Sequence, residues 1–114
     1  FVKNVFSEQS LATKADEVEL IRSSIRRNDV RSICATLLAL ASRTDTTDSL
    51  KEITVPCLII RGESDKLITA KQTGILKEGI VQSELLIMKG CGHLPNLEDP
   101  YVFNTTLNNY LANY

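Results

Sequence analysis

The sequence predicts an α/β fold in which a helix connects two parallel strands and further helices precede them. Residues 57–60 and 85–88 are short, continuous apolar runs closed by glycine, which is typical of strands buried on both faces. Residues 69–80, between the two runs, can form a helix. Because a helix joins the two strands, we expect a parallel pair with a right-handed crossover.

The part of the chain before these strands is predicted to be helical. Residues 15–27 and 30–41 carry apolar side chains at helical spacing, and Asn28 or Asp29 can cap the second helix. A polar loop, which can include a short helical turn, follows over residues 42–49. In the first helix the inward positions are predicted to be Val18, Ile21 and Ile25. The apolar stripe of the second helix is interpreted as core or lid packing and consists of Val30, Ile33, Cys34, Leu37, Leu38 and Ala41.

A last helix is predicted at the C-terminal end. Asp99 can cap it, and Pro100 suits its first position because proline lacks the amide hydrogen that would be unpaired there. One face of this helix is predicted to carry Phe103, Leu107, Tyr110, Leu111 and Tyr114.

Composition excludes several classes of protein. The 114 residues suffice for one domain or part of one. The chain has 13 basic and 14 acidic residues, a formal net charge of −1, which argues against a nucleic-acid partner. No apolar run is long enough to span a membrane. The three cysteines form no C-x-x-C pair and no secretion signal is present, so we expect a reduced, cytoplasmic setting.

Two side chains that can perform acid–base chemistry follow the predicted strands. Asp65 comes just after the first strand and His93, the only histidine, just after the second. Parallel strands present their carboxyl ends at one edge of the sheet, which is where open α/β sheets place catalytic groups. We therefore expect the carboxylate and the imidazole to be neighbours. A metal site is not expected, because one histidine without paired carboxylates is a poor ligand set.

These two loops resemble those of the α/β-hydrolase fold family. Residues 55–65 match its proline-led strand followed by G-[ED]-x-D, and residues 90–103 match its G-x-G-H-x-P-x-x-E-x-P-x-x-F signature. The resemblance is strongest over residues 53–111. It implies that Asp65 is the acid and His93 the general base of a Ser-His-Asp triad.

The family's nucleophile motif, G-x-S-x-G, is absent. The segment 62–66 begins like this motif, but Lys66 occupies the position of the second glycine. The chain looks like the last two-fifths of a family member, so we expect a fragment that is inactive alone and whose serine lies outside it. The resemblance divides the chain into residues 1–44, a helical lid remnant with a return helix, and residues 45–114, the C-terminal part of the hydrolase core.

The implied function is hydrolysis of a carboxylic ester or a related small acyl substrate, with no cofactor. Leu67, Ile68 and Leu94 are expected to contact that substrate, together with the lid. Alternatives are a dehalogenase or epoxide hydrolase with an aspartate nucleophile outside the chain, and a non-enzymatic binding protein of the same fold. A lactonase or a hydrolase that cleaves C–C bonds would look the same in this part of the sequence.

Other interpretations concern single residues and association. Asp65 could instead cap a helix or join a turn, and Glu98 is interpreted as an acid in the first turn of a helix. A Cys91–His93 nucleophile pair is disfavoured, because neighbours two positions apart in a loop rarely align for proton transfer. If the chain is such a fragment, the strand at 57–60 has lost its neighbour on one side, and we expect self-association or pairing with the remaining part of the enzyme.

Overall fold

The computed structural model describes residues 1–113. The helices are α1 (Val2–Val5), α2 (Glu8–Thr13), α3 (Ala15–Arg27), α4 (Val30–Ser42), α5 (Ala70–Gly79), α6 (Pro95–Glu98) and α7 (Pro100–Leu111), and a 3-10 helix covers Thr47–Glu52. The strands are β1 (Cys57–Gly62) and β2 (Ser83–Met88). Tyr114, which was predicted to lie on a face of α7, is outside the described residues.

The two strands form the predicted parallel pair, with α5 as the connection between them. Cys57 is aligned with Ser83 and Gly62 with Met88, so the strands begin and end together. The loops that follow β1 and β2 therefore start side by side at one edge of the sheet.

The strands are less buried than the sequence predicts. Leu85 and Ile87 on β2 are 36% and 40% exposed, and the side chains of residues 57–61 on β1 are only half-buried. The prediction of burial on both faces is therefore wrong for residues 1–113, because the described part of the chain leaves these faces partly open.

Helices α3 and α4 begin and end close to their predicted bounds of 15–27 and 30–41. Asp29 caps α4, because its carboxylate accepts a hydrogen bond from the Arg31 amide at 2.7 Å. On α3, Val18 is buried as predicted. The apolar stripe of α4 is not in a core: Val30 and Leu38 are 72% and 71% exposed, since no other element of residues 1–113 covers it.

The main apolar cluster lies in the N-terminal part of the chain, where only its α3 members, Val18 and Ile21, were predicted to point inward. Val5, Phe6 and Val18 form its buried centre. The side chains packed around this centre are Val2, Leu11, Ile21 and Leu94. Because Leu94 belongs to the loop after β2, the cluster fastens α1, α2 and α3 to that loop.

Local sequence signals also fix the starts of α5 and α7. Thr69 and Gln72 form a capping box at the start of α5. Asp99 caps α7 by accepting from the Val102 amide, with Pro100 at the first helical position as predicted. Within the described range, no helix is both long and apolar enough to cross a bilayer.

Candidate active site

Backbone hydrogen bonds join the two loops that follow the strands. The Glu63 amide donates to the Met88 carbonyl and the Ser64 amide donates to the Cys91 carbonyl, each at 2.8 Å. The side chain of Glu63 also accepts from the Gly90 amide at 3.3 Å. These contacts fix the loop after β1 against the loop after β2, and each loop carries one of the two predicted catalytic residues.

Asp65 and His93 lie in direct contact at this edge of the sheet. Nδ1 of His93 is 2.9 Å from Oδ2 of Asp65, which is a hydrogen-bond distance. The Asp65 side chain is 5% exposed and that of His93 is 35% exposed. The acid is thus shielded from water, whereas the imidazole is open on one side.

The other carboxylate oxygen of Asp65 organises a turn. Oδ1 accepts from the amides of Leu67 and Ile68 at 2.8 and 3.0 Å. Arg61 secures the same turn by donating from Nε to the Ile68 carbonyl at 2.9 Å. Asp65 therefore joins a turn through one oxygen and contacts His93 through the other, so the turn does not prevent the contact with the imidazole.

The hydrogen bonds to Asp65 favour its ionised form. Burial alone would raise the pKa of Asp65, but the Ile68 amide, the His93 ring and the Leu67 amide together outweigh burial and hold the pKa below its ordinary value of 3.8. Asp65 is therefore a carboxylate at neutral pH and can accept a hydrogen bond from the imidazole.

The contact with Asp65 occupies Nδ1 and leaves Nε2 as the reactive nitrogen of His93. When the ring donates from Nδ1, Nε2 carries the lone pair and can take a proton. No hydrogen bond to Nε2 is formed within residues 1–113, and no serine hydroxyl in that range is bonded to the ring. The arrangement supplies a base and its orienting acid.

Two glycines allow the loops to approach this closely. A Cβ atom on Gly62 would overlap the carbonyl oxygens of Gly92 and Cys91. On Gly92, a Cβ atom would lie 2.7 Å from the Ser7 amide nitrogen. The loop that carries His93 is consequently held between the end of β1 and the N-terminal segment.

Glu98 is a site residue whose role the sequence did not reveal. As the sequence predicts, it is an acid in the first turn of a helix, here the four-residue helix α6. Its side chain is nevertheless turned inward, and only 5% of the residue is exposed. Its carboxylate accepts from three backbone amides, those of Ser7, Gly92 and Leu94. Burial would raise the pKa of Glu98, but the Ser7 and Gly92 amides and the hydroxyls of Ser10 and Ser7 lower it below the ordinary 4.5.

The three predicted substrate contacts lie in different surroundings. Ile68 lines a cavity of about 150 Å³ together with Asp65 and His93. Ile68 also borders a larger cavity of about 500 Å³ between residues 43–47 and α5. Leu67 is 37% exposed beside the turn, whereas Leu94 packs against the N-terminal apolar cluster.

The surroundings of Cys91 disfavour a nucleophilic role. The residue is 3% exposed, and burial, together with the nearby charges of Glu98 and Asp99, raises the pKa of its thiol to about 11. A thiol must ionise to attack, so this environment disfavours a Cys91–His93 pair.

Comparisons with curated proteins find hydrolases. The chain is 31% identical over 109 residues to the 2-hydroxy-6-oxononadienedioate/2-hydroxy-6-oxononatrienedioate hydrolase of Klebsiella pneumoniae, covering 95% of this chain and 38% of that protein. It is 25% identical over 111 residues to Lipase 3 of a Moraxella species, covering 97% of this chain and 30% of the lipase. The chain thus spans about a third of the length of these relatives. No protein-family model matches it.

Comparisons with solved structures also find hydrolases, and they show the fold. A thermophilic esterase from Thermogutta terrifontis superimposes with a TM-score of 0.94 at 24% identity, covering 99% of this chain and 42% of the esterase. An alpha/beta hydrolase enzyme from a Medee basin deep-sea metagenome library gives a TM-score of 0.79 at 23% identity, covering 97% of this chain and 42% of that enzyme.

Proposed function

This chain belongs to the α/β-hydrolase fold family, with the architecture of the C-terminal part of that fold, and from that premise we propose that it supplies the acid and the base of a hydrolase active site. One observation carries the proposal, the 2.9 Å contact between Nδ1 of His93 and Oδ2 of Asp65 at the carboxyl ends of two parallel strands. The substrate that we propose is a carboxylic ester or a related acyl compound.

In the proposed reaction, His93 activates a serine hydroxyl that lies outside these 114 residues. Nε2 takes the hydroxyl proton as the serine oxygen bonds to the acyl carbon, and then gives that proton to the leaving group as its bond to the acyl carbon breaks. Water, deprotonated in the same way, releases the acid and restores the serine. Asp65 keeps the His93 ring in the tautomer that carries its proton on Nδ1, and it stabilises the imidazolium that forms.

The surroundings of the pair support this division of roles. The side chain of Asp65 is 5% exposed, and its hydrogen bonds keep it in place and, against the effect of burial, ionised, as an orienting acid requires. His93 is partly exposed, as a base that must meet a substrate requires. An aspartate nucleophile would use the same two residues, because a base that activates water is needed there as well.

The proposal also assigns parts of the chain to parts of an active site. Residues 1–44 would belong to the lid side of the cleft and residues 45–114 to the hydrolase core. Leu67, Ile68 and Leu94 would contribute to the pocket wall, and Ile68 has the most direct support because it lines the cavity beside the pair. The named relatives act on different substrates, so the acyl group itself is left to experiment.

The test is ester hydrolysis by the natural polypeptide in which these residues occur. We expect His93→Ala and Asp65→Asn each to lower kcat about 10³–10⁴-fold on p-nitrophenyl esters, because each removes a member of the triad. Glu78→Gln, an exposed acid on α5, is the matched control and should leave kcat unchanged. Full activity in His93→Ala would overturn the proposal.

A further inference from the structure

We propose that Glu98 is a positioning residue for His93, whose loop it holds through the two amides that flank the histidine. The inference rests on the proposed role of His93 as the base. It is independent of the chemistry of the nucleophile, because it concerns only how the imidazole is held against Asp65.

The contacts of Glu98 are centred on the histidine. Oε1 accepts from the Gly92 amide at 2.8 Å and from the Leu94 amide at 3.2 Å, so one oxygen binds the residues immediately before and after His93. The amide of His93 itself donates to the Val5 carbonyl at 2.8 Å. Three successive amides of the loop thus have fixed acceptors.

The second oxygen of Glu98 anchors this arrangement to the N-terminal segment. Oε2 accepts from the Ser7 amide at 2.8 Å, across 91 positions of sequence. Ser7 and Ser10 are themselves buried, and their hydroxyls are bonded to each other at 3.0 Å. The carboxylate therefore bridges the histidine loop and the start of α2 inside the protein.

The energetics favour a fixed position for the loop. A buried carboxylate is costly unless it is fully hydrogen-bonded, and charge-assisted bonds to amides are stronger than neutral ones. Displacing the loop that carries His93 would take the Gly92 and Leu94 amides away from the buried Glu98 carboxylate, and this cost holds the loop in one place. Gly92 is also closely packed, since a Cβ atom there would lie 2.7 Å from the Ser7 amide nitrogen and 2.8 Å from the Phe6 carbonyl carbon.

A residue that only stabilised the fold would leave the His93–Asp65 contact intact in any variant that still folds. A positioning residue would not. Glu98→Gln keeps the shape of the side chain but sets an amide NH₂ group against backbone donors, so at least one amide loses its acceptor. Glu98→Asp keeps the charge and both oxygens on a side chain that is shorter by one methylene group.

The experiment is an NMR measurement of the Nδ1–H proton of His93 in the full chain. Because His93 is the only histidine, its ring signals are unambiguous. We expect the wild-type Nδ1–H signal to be shifted downfield and slow to exchange, and Glu98→Gln to shift it upfield and accelerate its exchange while the amide signals of β1 and β2 stay in place. Glu98→Asp should recover part of the wild-type behaviour, and Glu78→Gln all of it.

A folded Glu98→Gln variant with a wild-type Nδ1–H signal would overturn the inference. If Glu98→Gln does not fold, a folded Glu98→Asp with a wild-type signal would do the same, because the charge would then stabilise the fold without setting the ring. In the natural polypeptide we expect Glu98→Gln to lower kcat about 10²-fold with little change in KM, the scale of a ~1 Å misplacement.

The two proposals can fail separately. If the Nδ1–H signal responds to Glu98 but the natural polypeptide hydrolyses no ester, the positioning role stands and the proposed function fails. If esters are hydrolysed and the Nδ1–H signal is the same in the Glu98 variants as in the wild type, only the positioning role fails.

Discussion

Nδ1 of His93 lies 2.9 Å from Oδ2 of Asp65, although 28 positions of sequence separate the two residues. The contact follows from the register of the sheet, in which Gly62 is aligned with Met88, so both loops start at the same edge. Each side chain is held by its own loop: Asp65 by the amides of Leu67 and Ile68, and His93 by the contacts of its flanking residues with Glu98. The pair is therefore prearranged by the backbone.

Acid should destabilise the chain through Asp65 and Glu98. The pKa of each carboxyl is lower in the folded chain than its ordinary value of 3.8 or 4.5, so the unfolded chain binds protons first as pH falls. Their contribution to stability is complete above those ordinary values and is lost as pH falls through the lowered folded values. We expect the urea midpoint to be steady from neutral pH to pH about 5 and to fall below that.

A matched pair of variants identifies the groups responsible. Glu98→Gln should weaken the dependence of the urea midpoint on pH below about 5, because one of the linked groups no longer titrates. Asp45 also has a lowered pKa, chiefly from the Thr47 hydroxyl, but it is fully exposed, so Asp45→Asn should change the dependence little. The account is wrong if Asp45→Asn removes the dependence and Glu98→Gln does not.

Alanine substitutions at two glycines should have opposite effects on stability. A Cβ atom on Gly62 would overlap the Gly92 and Cys91 carbonyls of the histidine loop, so Gly62→Ala is expected to lower the free energy of unfolding by about 1–3 kcal/mol. Gly74, in α5, has open space within 4 Å of the position that a Cβ atom would take, so Gly74→Ala should stabilise by about 0.5–1 kcal/mol. Urea unfolding of both variants is the measurement.

A neutral Gly62→Ala variant would show that the two loops do not pack as tightly as described. The Nδ1–H signal of His93 supplies a second readout for the same variant. It should change in Gly62→Ala, because the displaced loop carries the imidazole, and should keep its wild-type position in Gly74→Ala.

The elements that position the pair could be predicted from sequence, because each has a strong local signal. The apolar runs at 57–60 and 85–88, the helix between them and the Asp99-Pro100 start of α7 are confirmed. Their order alone places Asp65 and His93 at one edge of the sheet. The α/β-hydrolase fold, expected from the two loop motifs, is confirmed by the comparisons.

What escaped prediction depends on contacts distant in sequence. Helices α1 and α2 have four and six residues, too few to display a helical period, so the Val5–Phe6 cluster gave no pattern to read. Glu98 bonds to backbone amides, which every residue except proline has, and one of them is 91 positions away. Burial of the strands and of the α4 stripe was overestimated, since an apolar pattern shows which face avoids water but not whether this chain covers it. Self-association and a cytoplasmic location stay predictions.

The most direct test of the central claim is covalent labelling of the natural polypeptide with a fluorophosphonate, which reacts with a serine only when a base activates it. We expect one serine outside these 114 residues to be labelled, and the labelling rate to fall about 10³-fold or more in His93→Ala, because that base is lost. Glu78→Gln should label at the wild-type rate. Labelling of His93→Ala at an undiminished rate would contradict the claim that His93 is the base.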